Sequence, residues 1–400
     1  MKLVAITLLA AASCFANSQV ADLKSGSLHL VGPRVPLANS PKVGDPVDLQ
    51  TGLYIRSNTD LHLKDSIPIQ LTRTYRNADP RSRAFGIGTS TSFDMFIIGD
   101  SKAFSYVELI LSDGGRIHYD RVSPGRDFAS AIFENTDSPT QFYRSRIHWN
   151  GKGWTVELKN GSAYKLRGCS GDRKPGQCGM IEFQNRNGSV LQIQREPSGN
   201  VTRIVSPNGK WVALTYDSQD RIIQAKDSLG RMVSYQYDPA GRLVKVLTVS
   251  KERFRYEYDS DNRMTGAWEG KNRLLNDYAG ERCIHQVWWK AGVRHVFTMK
   301  YQLDEREKIR EAEVTEPDGS LTQLKFNANG YTMTAIYRLG QSNQITVNFN
   351  RDMQTNILKD VTVTCARDNR TQRMKAPVGP ARSGEGITNS LKSLCAKDAR

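Results

Sequence analysis

The sequence predicts an all-β protein in which an N-terminal β-sandwich-like domain is followed by a long array of β-hairpins. Three observations predict it. A motif recurs at a fixed interval, aromatic residues alternate with charged ones just ahead of its copies, and short apolar runs elsewhere are bounded by Gly, Asn, Asp or Pro. No amphipathic helix of more than a few turns is legible between residues 180 and 360, and only Ser390 to Asp398 carries a helical pattern.

The repeat comes first. Tyr216-Asp217, Tyr237-Asp238 and Tyr258-Asp259 follow one another at intervals of 21 residues, each leading into Arg221-Ile222, Gly241-Arg242-Leu243 or Arg263-Met264. A fixed period means one repeated supersecondary unit. Asp238-Pro239-Ala240-Gly241 suits a type I turn, with Asp first, Pro second and Gly fourth. Ahead of it Tyr235 and Tyr237 alternate around Gln236, and Phe254, Tyr256 and Tyr258 alternate with Arg253, Arg255 and Glu257, the period of half-buried strands. A second turn, Asp227-Ser228-Leu229-Gly230, returns the chain, so each unit is about one hairpin. Pro197 to Val201 extends the register upstream. Tyr301, Phe326 to Gly330 and Phe349 to Asp352 read as drifted copies downstream, giving an array over residues 180–360.

Residues 43–175 have another texture, with alternating strands expected at Ile67 to Tyr75, Val107 to Leu111 and Trp154 to Leu158. Residues 17–42 read as a polar linker and residues 366–400 as a basic tail, with an exposed loop from Ala366 to Gly386. Met1 to Ala16 has the charged start, short apolar run and small-residue end of a signal peptide. Two readings stay open there: cleavage after Ala16, or a lipid anchor at Cys14. Export to the periplasm, outer envelope or medium is expected, and no later stretch is apolar enough for a transmembrane helix.

The repeat copies resemble those of Rhs and teneurin proteins, whose pattern is Tyr-Asp, two residues, Gly-Arg-Leu and a later Tyr-x-Tyr-Asp; Arg231 to Asp238 with Pro239 to Leu243 match it. Gly44 to Gly52, Pro68 to Tyr75 and Phe85 to Gly88 are similar to the domain that precedes the repeats in bacterial Rhs proteins. The resemblance implies a β-sheet shell, which in long Rhs and insecticidal toxin proteins encloses a C-terminal effector. Such shells use many more hairpins than residues 180–360 supply, so an open, curved sheet is expected. The Asp-Pro-x-Gly-Leu segment associated with release of the effector has no match, and residues 366–400 are too few for a catalytic domain. Toxin activity is therefore not carried over.

The remaining residues point to binding and not to catalysis. Asp217, Asp238 and Asp259 sit where Asp caps turns, so no acid-base role is assigned to them. No GxSxG elbow, Walker loop or metal-ligand spacing occurs, Asp259-Ser260-Asp261 falls short of a calcium loop, and Cys283 beside His285 reads as a buried thiol next to a half-exposed ring. No cofactor, metal or enzymatic activity is expected. With Cys14 removed or lipidated, five cysteines remain. Cys169 and Cys178 bracket a turn-rich loop and form the first candidate disulfide; Cys365 with Cys395 forms a second, leaving Cys283 free.

The formal net charge is +15 and the mean hydropathy −0.53. For an exported chain without a recognition helix, this favours an anionic or carbohydrate envelope polymer or a protein as partner over nucleic acid. Trp288 and Trp289 form the candidate binding surface, one of them facing the core because neighbours on a strand point to opposite sides. The expected role is a binding or scaffold module at the bacterial envelope. The alternative is an accessory or remnant shell of a polymorphic toxin system used in contact-dependent competition, without its own effector.

Overall fold

The computed structural model describes residues 21–22, 40–136, 140–168, 179–248 and 251–375. The signal-like segment, Cys14, Cys169, Cys178, Cys395 and the helical pattern near the C-terminus lie outside the described residues. Within them the chain is all-β. One sheet of 25 antiparallel strands runs in sequence order from Phe96–Gly99 to Arg370–Lys375, each strand paired with the next. The short strand Ala21–Asp22 lies parallel against Phe96–Gly99. No described pairing joins Arg370–Lys375 to Phe96–Gly99, so the sheet is open, as expected from the small number of repeats.

The division expected near residues 175–180 is not a break in the sheet. Ala163–Arg167 pairs with Met180–Gln184 across it, so the strands from Phe96 to Arg167 and the repeats are one surface. The segment that stands apart is shorter and lies upstream. Ile55–Leu63, Ile69–Arg76 and Thr89–Thr91 form a separate three-stranded sheet whose side chains pack on the inner face of the long one. The expected basic tail also starts later than residue 366, because Arg370–Lys375 pairs with Leu358–Cys365.

Inner-face residues explain why the two layers stay together. In the strands Met232–Tyr237, Leu243–Thr248 and Lys251–Tyr258, burial alternates: Val233, Tyr235, Val246, Phe254 and Tyr256 are buried, while Gln236 and Arg255 are exposed. From the other side come Leu61, Leu63, Ile69, Leu71 and Tyr75, all buried in the same core. Two-layer burial of this kind is what an amphipathic sheet needs, since its apolar face must be covered by another element while its polar face can meet water.

Polar groups fix the register between the layers. Arg73 and Asp60, both buried, form a two-point ion pair at 2.6 and 3.1 Å. Tyr235 donates to Asp60 at 2.9 Å, Arg73 donates to the Tyr256 hydroxyl at 3.1 Å, and the guanidinium lies 5.2 Å from the Phe254 ring centre. Tyr75 donates to the Asn262 carbonyl at 2.9 Å and accepts from the Met264 amide at 2.8 Å. Backbone bonds add to these: Ile222 N–H to Ala84 C=O at 2.8 Å, Ile87 N–H to Gly241 C=O at 3.0 Å, and Cys283 N–H to Gly52 C=O at 2.8 Å. At one end Asp65 accepts from Ser206 and from the Asn208 side chain, both at 2.5 Å, so an inner loop caps a hairpin turn.

Candidate binding surface

The repeat signature builds a staple that recurs along the sheet. Asp238 accepts from the Arg242 amide at 2.9 Å and from Arg242 Nε at 2.7 Å. Asp217 with Arg221 and Asp259 with Arg263 do the same. Gly241 closes the turn at φ +91°, a left-handed conformation that glycine takes without strain; Asp220 and Asn262 occupy it in the other copies. Each arginine then reaches the next unit. Arg221 lies 4.5 Å from the Tyr237 ring centre and Arg242 lies 5.3 Å from that of Tyr258. Arg242 also donates to the Asp259 carbonyl at 2.7 Å.

The tyrosines look back along the array. Tyr216 donates to Val201 C=O at 3.0 Å, Tyr237 to Ile222 C=O at 2.5 Å and Tyr258 to Leu243 C=O at 2.7 Å. Tyr301 makes the same bond to Cys283 C=O, so the drifted downstream copy keeps the geometry. The eight signature residues Tyr216, Asp217, Tyr237, Asp238, Gly241, Arg242, Tyr258 and Asp259 are thus consumed in holding hairpin to hairpin. Asp238→Ala removes both bonds that Arg242 donates to the Asp238 carboxylate and should lower the urea midpoint by the equivalent of about 1–2 kcal/mol; an unchanged midpoint would show that the staple adds no stability.

The Cys283 thiol donates to the His285 carbonyl at 3.6 Å, and the His285 ring turns to Asp277 instead, at 2.8 Å. The thiol is buried in the core, and burial pushes its pKa up to about 12. The thiolate is the reactive form. At pH 8, alkylation of the Cys283 peptide in the folded protein should be at least about tenfold slower than in urea, measured by peptide mass spectrometry; equal rates would contradict the burial. Cys365 is buried at the end of its strand. Among the described residues no cluster of three or more His, Cys, Asp or Glu is placed to hold a metal. No helix there is long and apolar enough to cross a membrane.

The two adjacent tryptophans separate as strand geometry requires. Trp288 packs against the core on the inner face, beside Lys290 and His295. Trp289 lies on the outer face and joins a row that sequence reasoning did not find. Arg255 pairs across the ladder with Trp268, Trp268 with Arg273, Arg273 with Trp289, and Trp289 with Arg294. These five residues occupy five consecutive strands, alternating cation and ring. Ring-centre distances are 4.4 Å for Arg255–Trp268, 5.8 Å for Arg273–Trp268, 5.2 Å for Arg273–Trp289 and 5.9 Å for Arg294–Trp289.

The row lies close to the sheet because Gly266 leaves room for it. A Cβ on Gly266 would come within 2.4 Å of the Trp268 ring, so the indole folds flat over the glycine backbone. Both indoles are half-buried, while all three arginines are exposed. No carboxylate among the described residues forms an ion pair with Arg255, Arg273 or Arg294. By contrast Arg221, Arg242 and Arg263 are all neutralised by aspartate. The arrangement is therefore a flat aromatic strip edged by available positive charge.

The fold and surface define a class: a tandem β-hairpin shell whose inner face is covered by the chain's own N-terminal segment. Residues 216–253 match the family model for the RHS Repeat, and residues 44–119 match that for a domain of unknown function, DUF6531. The Rhs-type, or YD, repeat is thus matched within the hairpin array, over residues 216–253. No curated protein matches the sequence. Among solved structures, the chain is similar to the crystal structure of TcdB2-TccC3, at 11% identity and a TM-score of 0.36, covering 82% of this chain and 22% of that one. It is likewise similar to the crystal structure of TcdB2-TccC3-Cdc42, at 10% identity and a TM-score of 0.35, with the same coverages. A porin-like protein from Bacteroides uniformis is similar at 11% identity and a TM-score of 0.16, over 74% of this chain and 96% of that one. The chain thus spans 22% of the length of the first of these relatives.

Proposed function

We propose that this is a non-enzymatic binding and scaffold module of the bacterial envelope, exported through its N-terminal segment, that presents the outer face of its curved sheet to a macromolecule. The observation that carries the reading is the occupation of the inner face. Side chains from Leu61 to Tyr75 fill it opposite Tyr235, Phe254 and Tyr256, so recognition falls to the outer face, where aromatic rings and unneutralised arginines lie together. Exposed aromatic and arginine side chains are the residue types that dominate recognition surfaces. The signal-like pattern of Met1 to Ala16 and the net charge of +15 favour an anionic partner outside the cytoplasm.

The alternative, an accessory shell for a toxin system, needs an inner face free for cargo. The stretch of that face opposite residues 44–95 is already in use. The test is retention of the purified chain on envelope material from the source cells, with fractionation of the native protein beside it. Recovery in envelope fractions and saturable retention are expected. A cytoplasmic protein that envelope material does not retain would overturn the reading.

A further inference from the structure

We propose that three neighbouring hairpin ends, at Lys251, at Gly270-Lys271 and at Lys290 to Arg294, dock on an anionic lipid surface, with Trp268 and Trp289 seated in its headgroup layer. The inference rests on the binding reading above and names the partner.

The first argument is placement. In a run of antiparallel strands every second reversal lies at the same end, so the chain turns back after Thr248, Glu269 and Lys290 on one side of the sheet. The last rungs there are Glu269 with Asn272 and Lys290 with Val293; the next rungs in are Trp268 with Arg273 and Trp289 with Arg294. At about 3.4 Å per residue, both indoles lie within about 7 Å of the tips. That is the depth of the boundary between headgroups and acyl chains, where tryptophan is favoured.

The second is charge. In Lys251 to Arg255, Trp268 to Arg273 and Trp289 to Arg294, seven basic residues stand against Glu252 and Glu269. Glu269 lies 3.6 Å from Arg56, which draws on its charge from within the fold. Lys251, Arg255, Lys271, Arg273, Lys290 and Arg294 are all exposed. The opposite end of the same hairpins is acidic: Asp238 to Arg242, Asp259 to Arg263, Glu281 to Arg282 and Asp304 to Lys308 hold seven carboxylates against five cations. The molecule is therefore electrically polarised along its strands, and an anionic surface attracts one end while it repels the other. Each basic residue held near such a surface strengthens binding roughly fivefold.

The third is apolar exposure at the tips. Val293 is 57% exposed at its tip, and Leu229 is 67% exposed at the neighbouring hairpin end on the same side. Side chains so exposed add little to the fold and gain by leaving water for an acyl phase. A linear acidic polymer or a nucleic acid would meet the charges but offers no such phase. A lipid surface meets both.

The test is co-sedimentation of the full chain with vesicles of phosphatidylglycerol in phosphatidylcholine, with phosphatidylcholine vesicles, polyglutamate and polygalacturonate as the other arms. The anionic vesicles should bind at least about tenfold more tightly than the zwitterionic ones. Because the apolar run from Leu3 to Ala12 is common to every variant, differences between variants read the hairpin ends. Replacing Lys271, Lys290 and Arg294 together by Gln should weaken binding at least about thirtyfold. Replacing Lys300, Arg306 and Lys308 by Gln removes the same charge towards the other end and should change it by less than about threefold. Val293→Gln should weaken it at least about threefold. Unchanged urea midpoints confirm that the sheet remains folded in each.

Equal loss in the two triple variants would make the effect one of net charge and overturn the site. So would unaltered affinity in the first triple variant, or polyglutamate or polygalacturonate binding as tightly as the vesicles through the same residues. Full affinity in Val293→Gln would show that the tips do not enter the interface, and overturns it as well. If envelope material retains the protein but anionic vesicles do not, the binding reading stands and this inference falls. If neither is bound, both fall.

Discussion

Replacing Asp60 with alanine should cost about 3–5 kcal/mol of stability, the range seen when one partner of a buried ion pair is removed. The reason is what remains. Arg73 is 3% exposed, and with Asp60 gone its charge keeps only the Tyr256 hydroxyl and the faces of Phe254 and Tyr256 as partners. The Tyr235 hydroxyl loses its acceptor as well. Because the desolvation cost of the pair is itself large, replacing both Asp60 and Arg73 with leucine should recover much of the loss. Urea unfolding followed by tryptophan fluorescence reads the effect well. All six tryptophans lie in the long sheet and none in the inner segment. A shifted tryptophan transition therefore reports coupling between the layers, and an unmoved one would show that they unfold independently.

The second large effect belongs to Tyr75. It is 3% exposed, its ring centre lies 5.8 Å from that of Tyr258, and its hydroxyl both donates to and accepts from the turn at Asn262 to Met264. Tyr75→Ala should cost about 3–5 kcal/mol by leaving a cavity in the core between the layers. Tyr75→Phe separates the contributions. It keeps the ring but leaves the buried Met264 amide without a partner, for about 1–3 kcal/mol. A Phe variant as stable as the parent would mean that the amide finds water, and that the inner strand is less tightly seated than the structure indicates.

The legible part of the fold was the part with local causes. The 21-residue period, the turn at Asp238 to Gly241 and the alternation around Tyr235 depend on residues close in sequence, and the structure reproduces them as strands and staples. The same holds for Trp288 and Trp289, whose separation follows from strand geometry alone. What escaped was non-local. Arg73 and Asp60 sit in alternating stretches where charged residues normally mark the solvent face, and only the inner layer reveals that these are buried against Tyr235 and Tyr256. The change of texture near residue 175 is a local signal too, but backbone pairing continues across it.

The outer row was hidden for a related reason. Trp289 and Arg294 are close in sequence, but Arg255, Trp268 and Arg273 join them only through hairpin register, and a shift of one residue would send a side chain to the other face. Reflecting each strand about its turn would have aligned the five. Gly266 was the available signal, since a glycine in mid-strand often marks a close approach, here by an indole.

The central claim is that residues 44–95 form the inner layer of one cooperative body with the repeats. Native-state hydrogen exchange tests it most directly. The amides of Ile69–Arg76 and those of Met232–Tyr258 should open with the same free energy and the same dependence on denaturant. Early exchange of Ile69–Arg76 while Met232–Tyr258 stays protected would contradict the claim, by showing that the repeat sheet holds together without the segment on its inner face.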